Sequence, residues 1–93
     1  MKHVTQLNEL PNGLVLVDFY ATWCGPCRML APVLEEIEAI EVIKVDVDQA
    51  EEFAKEFAIQ YVPTLIIFKD KVEVSRKSGY FTLEDLNNWI KEF

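Results

Sequence analysis

The sequence predicts an α/β protein, and three observations lead to that fold class. Apolar runs typical of buried strands alternate along the chain with segments whose apolar residues recur at helical spacing. No linker, low-complexity segment or internal repeat divides the 93 residues. Hydrophobic residues make up 51% of the chain, which is enough for a single core. We therefore expect one globular domain that spans residues 1–93.

The N-terminal part of the chain predicts a strand, a short connecting segment and a central strand. Lys2–Gln6 is the first strand candidate. Leu7–Gly13 follows it and ends in the turn signal Pro11-Asn12-Gly13. Leu14–Tyr20 is a nearly continuous apolar run, which is typical of a strand buried on both faces. We expect this strand in the middle of the sheet.

A helix and a second buried strand come next. From Pro26 to Ile40 the apolar residues recur at helical spacing, with glutamates between them. Pro32 falls inside this pattern and predicts a kink in the helix. Val42–Val47 is again strongly apolar, so a strand, a helix and a strand follow one another. This order predicts a parallel β-α-β unit.

The C-terminal half begins with a second helix and a β-hairpin. Gln49–Ala58 is the helix, and its apolar residues Ala50, Phe53, Ala54 and Phe57 fall on one face. Thr64–Phe68 reads as a buried strand, and Val72–Lys77 alternates apolar and polar residues as an exposed edge strand does. The link Lys69-Asp70-Lys71 is long enough only for a hairpin.

A last helix closes the chain. Thr82-Leu83-Glu84-Asp85 resembles a capping box in which Asp replaces Glu, so it predicts a helix start. The apolar face expected for this helix consists of Leu86, Trp89, Ile90 and Phe93.

The only two cysteines lie two residues apart in Trp23-Cys24-Gly25-Pro26-Cys27, between the apolar strand and the first predicted helix. A thiolate at a helix N-terminus faces unpaired N–H groups and the positive end of the helix dipole, so its pKa falls below the free value of about 8.5. Cys24 is the candidate nucleophile, and Cys27, one turn deeper, is close enough to form a disulfide with it. Pro26 stiffens the loop and donates no N–H. The motif predicts a redox pair.

Other uses of a C-x-x-C motif fit this chain less well. A structural zinc site needs four ligands, and beyond the cysteines the chain offers only His3, so we expect no metal site. Covalent haem attachment requires a histidine after the second cysteine, where this chain has Arg28. A static disulfide stays open as an alternative, although so short a loop restricts the unfolded chain little.

Charge and hydropathy exclude several classes of partner. The net charge of −7 argues against nucleic acid, whose phosphates favour clusters of Lys and Arg. Residues Lys2–Glu9 lack the apolar core of a secretory signal, and no segment approaches the length of a membrane span. Two cysteines in a chain without a signal are expected to be catalytic in the reducing cytoplasm, where we place the protein.

Three segments together resemble the thioredoxin family. They read V-D-F-Y-A-T-W-C-G-P-C-R-M from Val17 to Met29, K-V-D-V-D from Lys44 to Asp48, and V-P-T-L from Val62 to Leu65. The resemblance implies the thioredoxin fold, a mixed central sheet flanked by helices. It also implies an enzyme that reduces protein disulfides to dithiols in electron transport and cell redox homeostasis. Such an enzyme binds no cofactor of its own and receives electrons indirectly from NADPH, through a flavoprotein thioredoxin reductase.

The resemblance implies a role for each matching residue. The Cys24 thiolate attacks a substrate sulfur, and Cys27 then attacks Cys24 to release the reduced substrate. Asp18, a carboxyl within an apolar strand where desolvation raises its pKa, is the candidate for handling the proton of Cys27. Lys44 on the adjacent strand matches the partner of that acid. A lysine that merely extends to solvent at the strand end is the alternative for Lys44.

The same resemblance implies a substrate groove. In the family a cis proline faces the disulfide, and Pro63 matches it, while the backbone before it pairs with an extended substrate segment. The apolar platform around this proline matches Trp23, Gly25, Pro26, Val62 and Gly79. For Trp23, a role as core filler is the alternative.

The chain departs from the family pattern at several positions. Leu7–Gly13 is shorter than the usual first helix, so we expect that helix to be shortened or missing. Tyr20 replaces a common Trp, and Tyr61 replaces a small residue and narrows the groove. Lys71 replaces a hairpin glycine where positive φ is expected, and Ser78 replaces an apolar platform residue. These departures bear on substrate preference and leave the sulfur chemistry unchanged.

Three functions compete at this point. A small monomeric reductant of disulfide-containing proteins is the leading one, because the Gly25-Pro26 pair favours it. An oxidant or isomerase of the same fold would need an oxidising compartment and a less stable disulfide. A binding subunit that uses only the apolar platform would make the intact pair Cys24 and Cys27 incidental.

Overall fold

The computed structural model describes residues 1–93 as a five-stranded mixed sheet flanked by helices. The strands are β1 (Lys2–His3), β2 (Leu14–Tyr20), β3 (Glu41–Asp46), β4 (Thr64–Lys69) and β5 (Val72–Ser78). Their spatial order is β1-β3-β2-β4-β5. β3 is parallel to β1 and β2, whereas β4 is antiparallel to β2 and β5.

β2 is the central strand, as its apolar run predicts. Its inner residues, Val15 to Phe19, are all buried, and they alternate between the two faces of the sheet. Val15, Val17 and Phe19 join one apolar cluster, whereas Leu16 joins the other. Two cores therefore lie back to back, with β2 between them.

Three α-helices and one short 3₁₀ helix cover the sheet. They are the 3₁₀ helix Leu7–Glu9, α1 (Gly25–Glu35), α2 (Glu51–Glu56) and α3 (Leu83–Ile90). α1 and α3 contribute to the cluster that contains Leu16, and α2 contributes Phe53 to the opposite cluster. The single 3₁₀ turn confirms that the first helix is shortened.

The first strand is shorter than predicted: β1 ends at His3 and not at Gln6. Val4 still donates a hydrogen bond to the Lys44 carbonyl. Beyond it, the N–H groups of Thr5 and Gln6 donate to Glu9 Oε1 at 2.9 and 3.1 Å. The start of the 3₁₀ helix therefore takes the backbone groups that a longer strand would have used.

The helix boundaries also differ from those that the periodicity predicts. α1 ends at Glu35, so Ile37 and Ile40 are buried but lie outside it. There Glu36 and Ile37 bond to the carbonyls three residues earlier, which tightens the last turn and ends the helix. Pro32 lies inside α1, and the kink expected there stays a prediction.

α2 covers less than the predicted segment Gln49–Ala58. It ends at Glu56, because Ala58 adopts the left-handed conformation with φ of 51° and Ile59 N–H bonds back to the Ala54 carbonyl. Its buried side is also narrower than predicted, since Ala54 and Phe57 are only half-buried.

The cap of α3 is confirmed, but its predicted apolar face is too long. Thr82 Oγ1 accepts a hydrogen bond from the Asp85 N–H at 3.1 Å. Leu86, Trp89 and Ile90 are buried. Phe93 lies beyond the helix and is 47% exposed, so its placement on the buried face was wrong.

The predicted hairpin joins β4 to β5, and β5 is an edge strand. Apolar and polar residues alternate along β5 as predicted, but the apolar ones are the exposed ones. Val72 and Val74 point outward, whereas Glu73 and Ser75 are half-buried. A register shift next to Ile67 and Phe68 inserts a bulge at this point. Half-buried Ser75 accepts a hydrogen bond from Trp89 Nε1 at 3.0 Å.

Candidate active site

The two cysteines form a disulfide at the N-terminus of α1. Cys24 is the N-cap residue in extended conformation, Pro26 lies in the first turn, and Cys27 follows within the helix. The Cα atoms of the pair are 5.2 Å apart, which is within the ordinary range for a disulfide. The Cys27 N–H donates to Cys24 Sγ at 3.1 Å. A helix-terminal N–H therefore already points at the sulfur expected to carry the negative charge.

Local structure brings this pair to the end of the central strand. β2 ends at Tyr20, and the Cys24 N–H bonds to the Ala21 carbonyl at 3.3 Å to form a turn. The Arg28 N–H then bonds to the Cys24 carbonyl at 3.2 Å and begins the helical ladder. The redox pair thus sits where a rigid central strand passes into a helix.

A cis proline faces Cys24, as the resemblance implies. The Val62–Pro63 peptide bond is cis, and the Val62 carbonyl oxygen lies 3.6 Å from Cys24 Sγ. The Pro63 carbonyl accepts a hydrogen bond from the Gly79 N–H at 2.9 Å. Two loops from different parts of the chain therefore meet directly beside the disulfide.

Asp18 is fully buried and pairs with Lys44. The two residues are direct neighbours on the parallel strands β2 and β3, and Lys44 Nζ lies 3.3 Å from Asp18 Oδ2. Neither Asp18 oxygen accepts a hydrogen bond from the protein. Burial raises the pKa of Asp18 to about 6, against the opposing effect of the Lys44 charge. The alternative of Lys44 extending to solvent does not hold, because the residue is 8% exposed.

A cavity of about 280 Å³ lies between Lys44 and Cys27. It opens beside α1 and is lined by Tyr20, Ala21, Thr22, Cys27, Arg28, Ala31 and Lys44. Such a cavity is large enough to admit water between Cys27 and the ammonium group that neighbours Asp18.

The platform residues surround the disulfide with varied exposure. Trp23 is 67% exposed, so it is not core filler, and its Nε1 donates to Asp48 Oδ2 at 2.9 Å. Val62 packs against the small cluster formed by Ala21, Cys24 and Cys27. Gly25 is half-buried, Pro26 is exposed, and Gly79 is half-buried with a φ of 108° that favours glycine.

Two of the departures from the family pattern also lie at this groove. Tyr61 is 70% exposed, and its carbonyl accepts a hydrogen bond from Thr64 Oγ1 at 2.7 Å. Ser78 Oγ lies 2.9 Å from the same Thr64 hydroxyl. The polar replacement at Ser78 therefore links the first residue of β4 to the last residue of β5, beside the loops that hold Pro63 and Gly79.

Several features of the site were not predicted from the sequence. Whole-residue exposure hardly separates the cysteines, because Cys24 and Cys27 are 5% and 3% exposed although Cys27 lies deeper in the helix. Asp48 had no assigned role, although it lies in the K-V-D-V-D segment and bonds Trp23.

Two further observations concern clustered metal ligands and helices that could span a membrane. Nowhere do three or more His, Cys, Asp or Glu side chains converge as metal ligands. None of the helices combines the length and the apolar character needed to cross a bilayer.

The sequence of this chain is similar to those of known proteins. Residues 2–92 match the sequence profile of the family described as Thioredoxin. A thioredoxin from Listeria monocytogenes is 48% identical over 90 residues, which cover 91% of this chain and 87% of that protein. A thioredoxin from Chlamydia trachomatis is 44% identical over 88 residues, covering 90% and 83% of the two chains.

Solved structures resemble this fold closely. A mutant thioredoxin from Halobacterium salinarum superposes with a TM-score of 0.90 at 37% identity, covering 99% of this chain and 88% of the other. The thioredoxin of Fasciola hepatica gives a TM-score of 0.83 at 38% identity, covering 99% and 98% of the two chains.

Proposed function

The chain belongs to the thioredoxin family and is a thiol–disulfide oxidoreductase, and from that premise we propose a role for each residue of its site. Cys24 is the attacking nucleophile, Cys27 is the resolving thiol, and Asp18 handles the proton of Cys27. The observation that carries this assignment is the hydrogen bond from the Cys27 N–H to Cys24 Sγ at 3.1 Å. It favours the thiolate on Cys24 over one on Cys27.

In the first step the Cys24 thiolate attacks one sulfur of a substrate disulfide. A mixed disulfide forms between Cys24 and that sulfur, and the other substrate sulfur leaves as a thiolate that takes a proton from water. The N-cap position of Cys24 supports this step, because the unpaired N–H groups of the first helical turn stabilise a negative charge there.

In the second step Cys27 releases the substrate. Its thiol loses a proton, and the resulting thiolate attacks Cys24 Sγ, so that the Cys24–Cys27 disulfide forms and the reduced substrate sulfur leaves. Asp18 is the proposed acceptor of that proton. Its pKa of about 6 leaves it mainly ionised at neutral pH but close enough to neutrality to exchange protons readily. Water in the cavity shared by Cys27 and Lys44 supplies the path.

The substrate binds along the loop that precedes Pro63. The Val62 carbonyl beside Cys24 can pair with an extended substrate segment, which places the substrate disulfide over the nucleophile. Trp23, Gly25, Pro26 and Gly79 provide the surrounding platform. The exposed Tyr61 ring narrows the groove at one end.

After each reaction the Cys24–Cys27 disulfide must be reduced again. A flavoprotein thioredoxin reductase returns electrons from NADPH to the Cys24–Cys27 disulfide, and the chain acts as one domain, residues 1–93, in the cytoplasm. The family typically binds no cofactor, and disulfide-containing proteins are the substrates. A redox potential measured for the cysteine couple separates this reductant from an oxidant or isomerase, because a strongly oxidising value contradicts the proposal.

A trapping experiment tests the assignment of the two cysteines. With Cys27→Ser, the second step is blocked. When the substrate is a peptide dimer joined by one disulfide, one peptide should accumulate as a mixed disulfide with Cys24 and the other should leave as a free thiol. Cys24→Ser is the matched control and should trap almost none, because its remaining thiol lies buried inside the first helical turn and not at the N-cap. Mass spectrometry of the quenched reaction measures both yields. Equal trapping by the two variants would reverse the assignment.

A further inference from the structure

Three neighbouring strands place His3, Lys44 and Asp18 in one row on one face of the sheet. Lys44 on β3 is the direct partner of His3 on β1 and of Asp18 on β2. Partners in this register point to the same side of a sheet. The Lys44 side chain therefore extends between an exposed histidine and a buried carboxyl.

The Tyr20 side chain lies across the row formed by His3, Lys44 and Asp18. It lies two residues after Asp18 on β2 and so points to the same face. Its ring centroid is 4.2 Å from Lys44 Nζ, and its hydroxyl oxygen is 3.3 Å from His3 Nε2. The Tyr20 side chain thus passes over the ammonium group and reaches the far strand.

The ion pair alone holds Lys44 weakly. The Nζ–Oδ2 distance of 3.3 Å is long for a charge-assisted hydrogen bond, and neither Asp18 oxygen accepts one from the protein. A lysine has four flexible methylene groups and gains hydration whenever it turns to water. The contact with Asp18 therefore leaves room for another group to determine where the ammonium rests.

We propose that Tyr20, anchored through its hydroxyl on His3, is a positioning residue that holds the Lys44 ammonium against Asp18. The ring attracts the cation over its face, and the hydroxyl fixes the ring across the three strands. Burial and the nearby carboxylates of Asp46 and Asp18 raise the pKa of Tyr20, so its hydroxyl stays protonated and can donate to His3 Nε2.

This proposal rests on the role given above to Asp18, and it explains how that role is tuned. Tyr20 and Lys44 also line the cavity that reaches Cys27, so a displaced Lys44 would change both the charge beside Asp18 and the path for water. The ionisable groups around Lys44 are His3 from β1, Asp18 and Tyr20 from β2, Asp46 from β3, and Cys27 and Arg28 from α1. β4 places the apolar Leu65 opposite Asp18.

The test is a carboxyl NMR titration of Asp18 in the oxidised protein, in which the cysteines do not titrate. Tyr20→Leu should raise the Asp18 pKa by about one unit, because the ammonium leaves the carboxyl. Loss of the ring also admits water, which would lower that pKa. An upward shift therefore reports the departure of Lys44 and not a loosened structure. Lys44→Met removes the ammonium altogether, so it should raise the Asp18 pKa at least as much as Tyr20→Leu does.

Two further variants test the anchor on His3. Tyr20→Phe keeps the ring and removes the hydroxyl, whereas His3→Ala changes an exposed residue and leaves the core intact. Each should raise the Asp18 pKa by less than half of the Tyr20→Leu shift. The double variant Tyr20→Phe, His3→Ala should raise the Asp18 pKa no further than either single change, because both changes remove the same hydrogen bond.

An unchanged or lowered Asp18 pKa in Tyr20→Leu overturns the proposal, and unchanged values in both Tyr20→Phe and His3→Ala overturn the anchor. Thermal unfolding of the oxidised variants shows whether each is folded. If Tyr20→Leu does not fold, the comparison of Tyr20→Phe with His3→Ala decides. The rate of mixed-disulfide release is measured separately. A shifted Asp18 pKa with an unchanged release rate would support the positioning role of Tyr20 and contradict the proposed role of Asp18 in the second step.

Discussion

At the scale of single residues, Asp18 is the group whose environment most alters its chemistry. It is fully buried, and its one charged partner, Lys44, only partly offsets the cost of removing the carboxylate from water. The result is a carboxyl whose pKa rises from 3.8 to about 6. An acid of this kind exchanges protons near neutral pH and destabilises the fold whenever it is ionised.

Asp18→Asn should raise the free energy of unfolding in alkaline and neutral solution only. As pH rises from 3.8 to about 6, the unfolded chain loses this proton before the folded protein does, so the wild type loses stability over that window. The loss amounts to about 3 kcal/mol above the window. The variant should therefore gain up to that amount at about pH 8 and almost nothing at about pH 3.

Urea unfolding of the oxidised proteins at both pH values measures this gain. Glu38→Gln removes an exposed acid and is the matched control, which should show no comparable gain. A gain of equal size at both pH values would mean that the introduced amide stabilises by packing and not by removing a buried charge.

At the scale of elements, the β4–β5 hairpin carries visible backbone strain. Asp70 and Lys71 have φ values of 50° and 66°, a conformation that suits glycine and costs other residues about 1 kcal/mol each. Asp70 recovers part of this cost, because its Oδ1 accepts the Gly13 N–H at 2.7 Å. Lys71 makes only a side-chain contact with Asn12 Oδ1 at 3.2 Å.

Lys71→Gly should therefore stabilise the protein by about 0.5–1 kcal/mol, since relief of the strained φ exceeds the entropy that glycine adds to the unfolded chain. Lys71→Ala is the matched control. It removes the contact with Asn12 but keeps the strain, so it should give no gain. Denaturant midpoints of the two variants decide the matter, and equal midpoints would show that the turn strain is negligible.

Element types follow from the local pattern, whereas element ends do not. The spacing of apolar residues predicts α1, α2 and α3, and the hairpin follows from its short link. The ends depend on competing hydrogen bonds: Glu9 ends β1, and the left-handed Ala58 ends α2. Outward-facing valines on β5 follow from a bulge that alternation alone does not reveal.

At the scale of the whole molecule, the active site lies where three separate parts of the chain meet. The end of β2 leads into Cys24 and Cys27, the loop before β4 brings Pro63, and the loop after β5 brings Gly79. Around them Trp23 and Tyr61 are among the most exposed large apolar side chains. This surface is suited to transient contacts with protein substrates.

We expect the protein to sediment as a monomer of 10.8 kDa. A net charge of −7 makes two copies repel each other at low ionic strength. The exposed aromatic groups around the disulfide favour association and so oppose this repulsion. Sedimentation velocity over a range of protein concentrations, in low and in high salt and in both redox states, checks this expectation. A concentration-dependent dimer in low salt would contradict it, and Trp23→Ala would then locate the contact.

The sequence by itself determined the redox pair, the central position of β2 and the buried acid, because each depends on residues that are neighbours in the chain. Cys24 and Cys27 share one helical turn, and Asp18 is surrounded by the apolar residues of its own strand. The resemblance to a family further placed Pro63 opposite the disulfide. Only the tertiary structure decided that Tyr20 crosses Lys44 to reach His3. That contact joins three strands whose order and register arise from packing, and no local pattern encodes such long-range pairing.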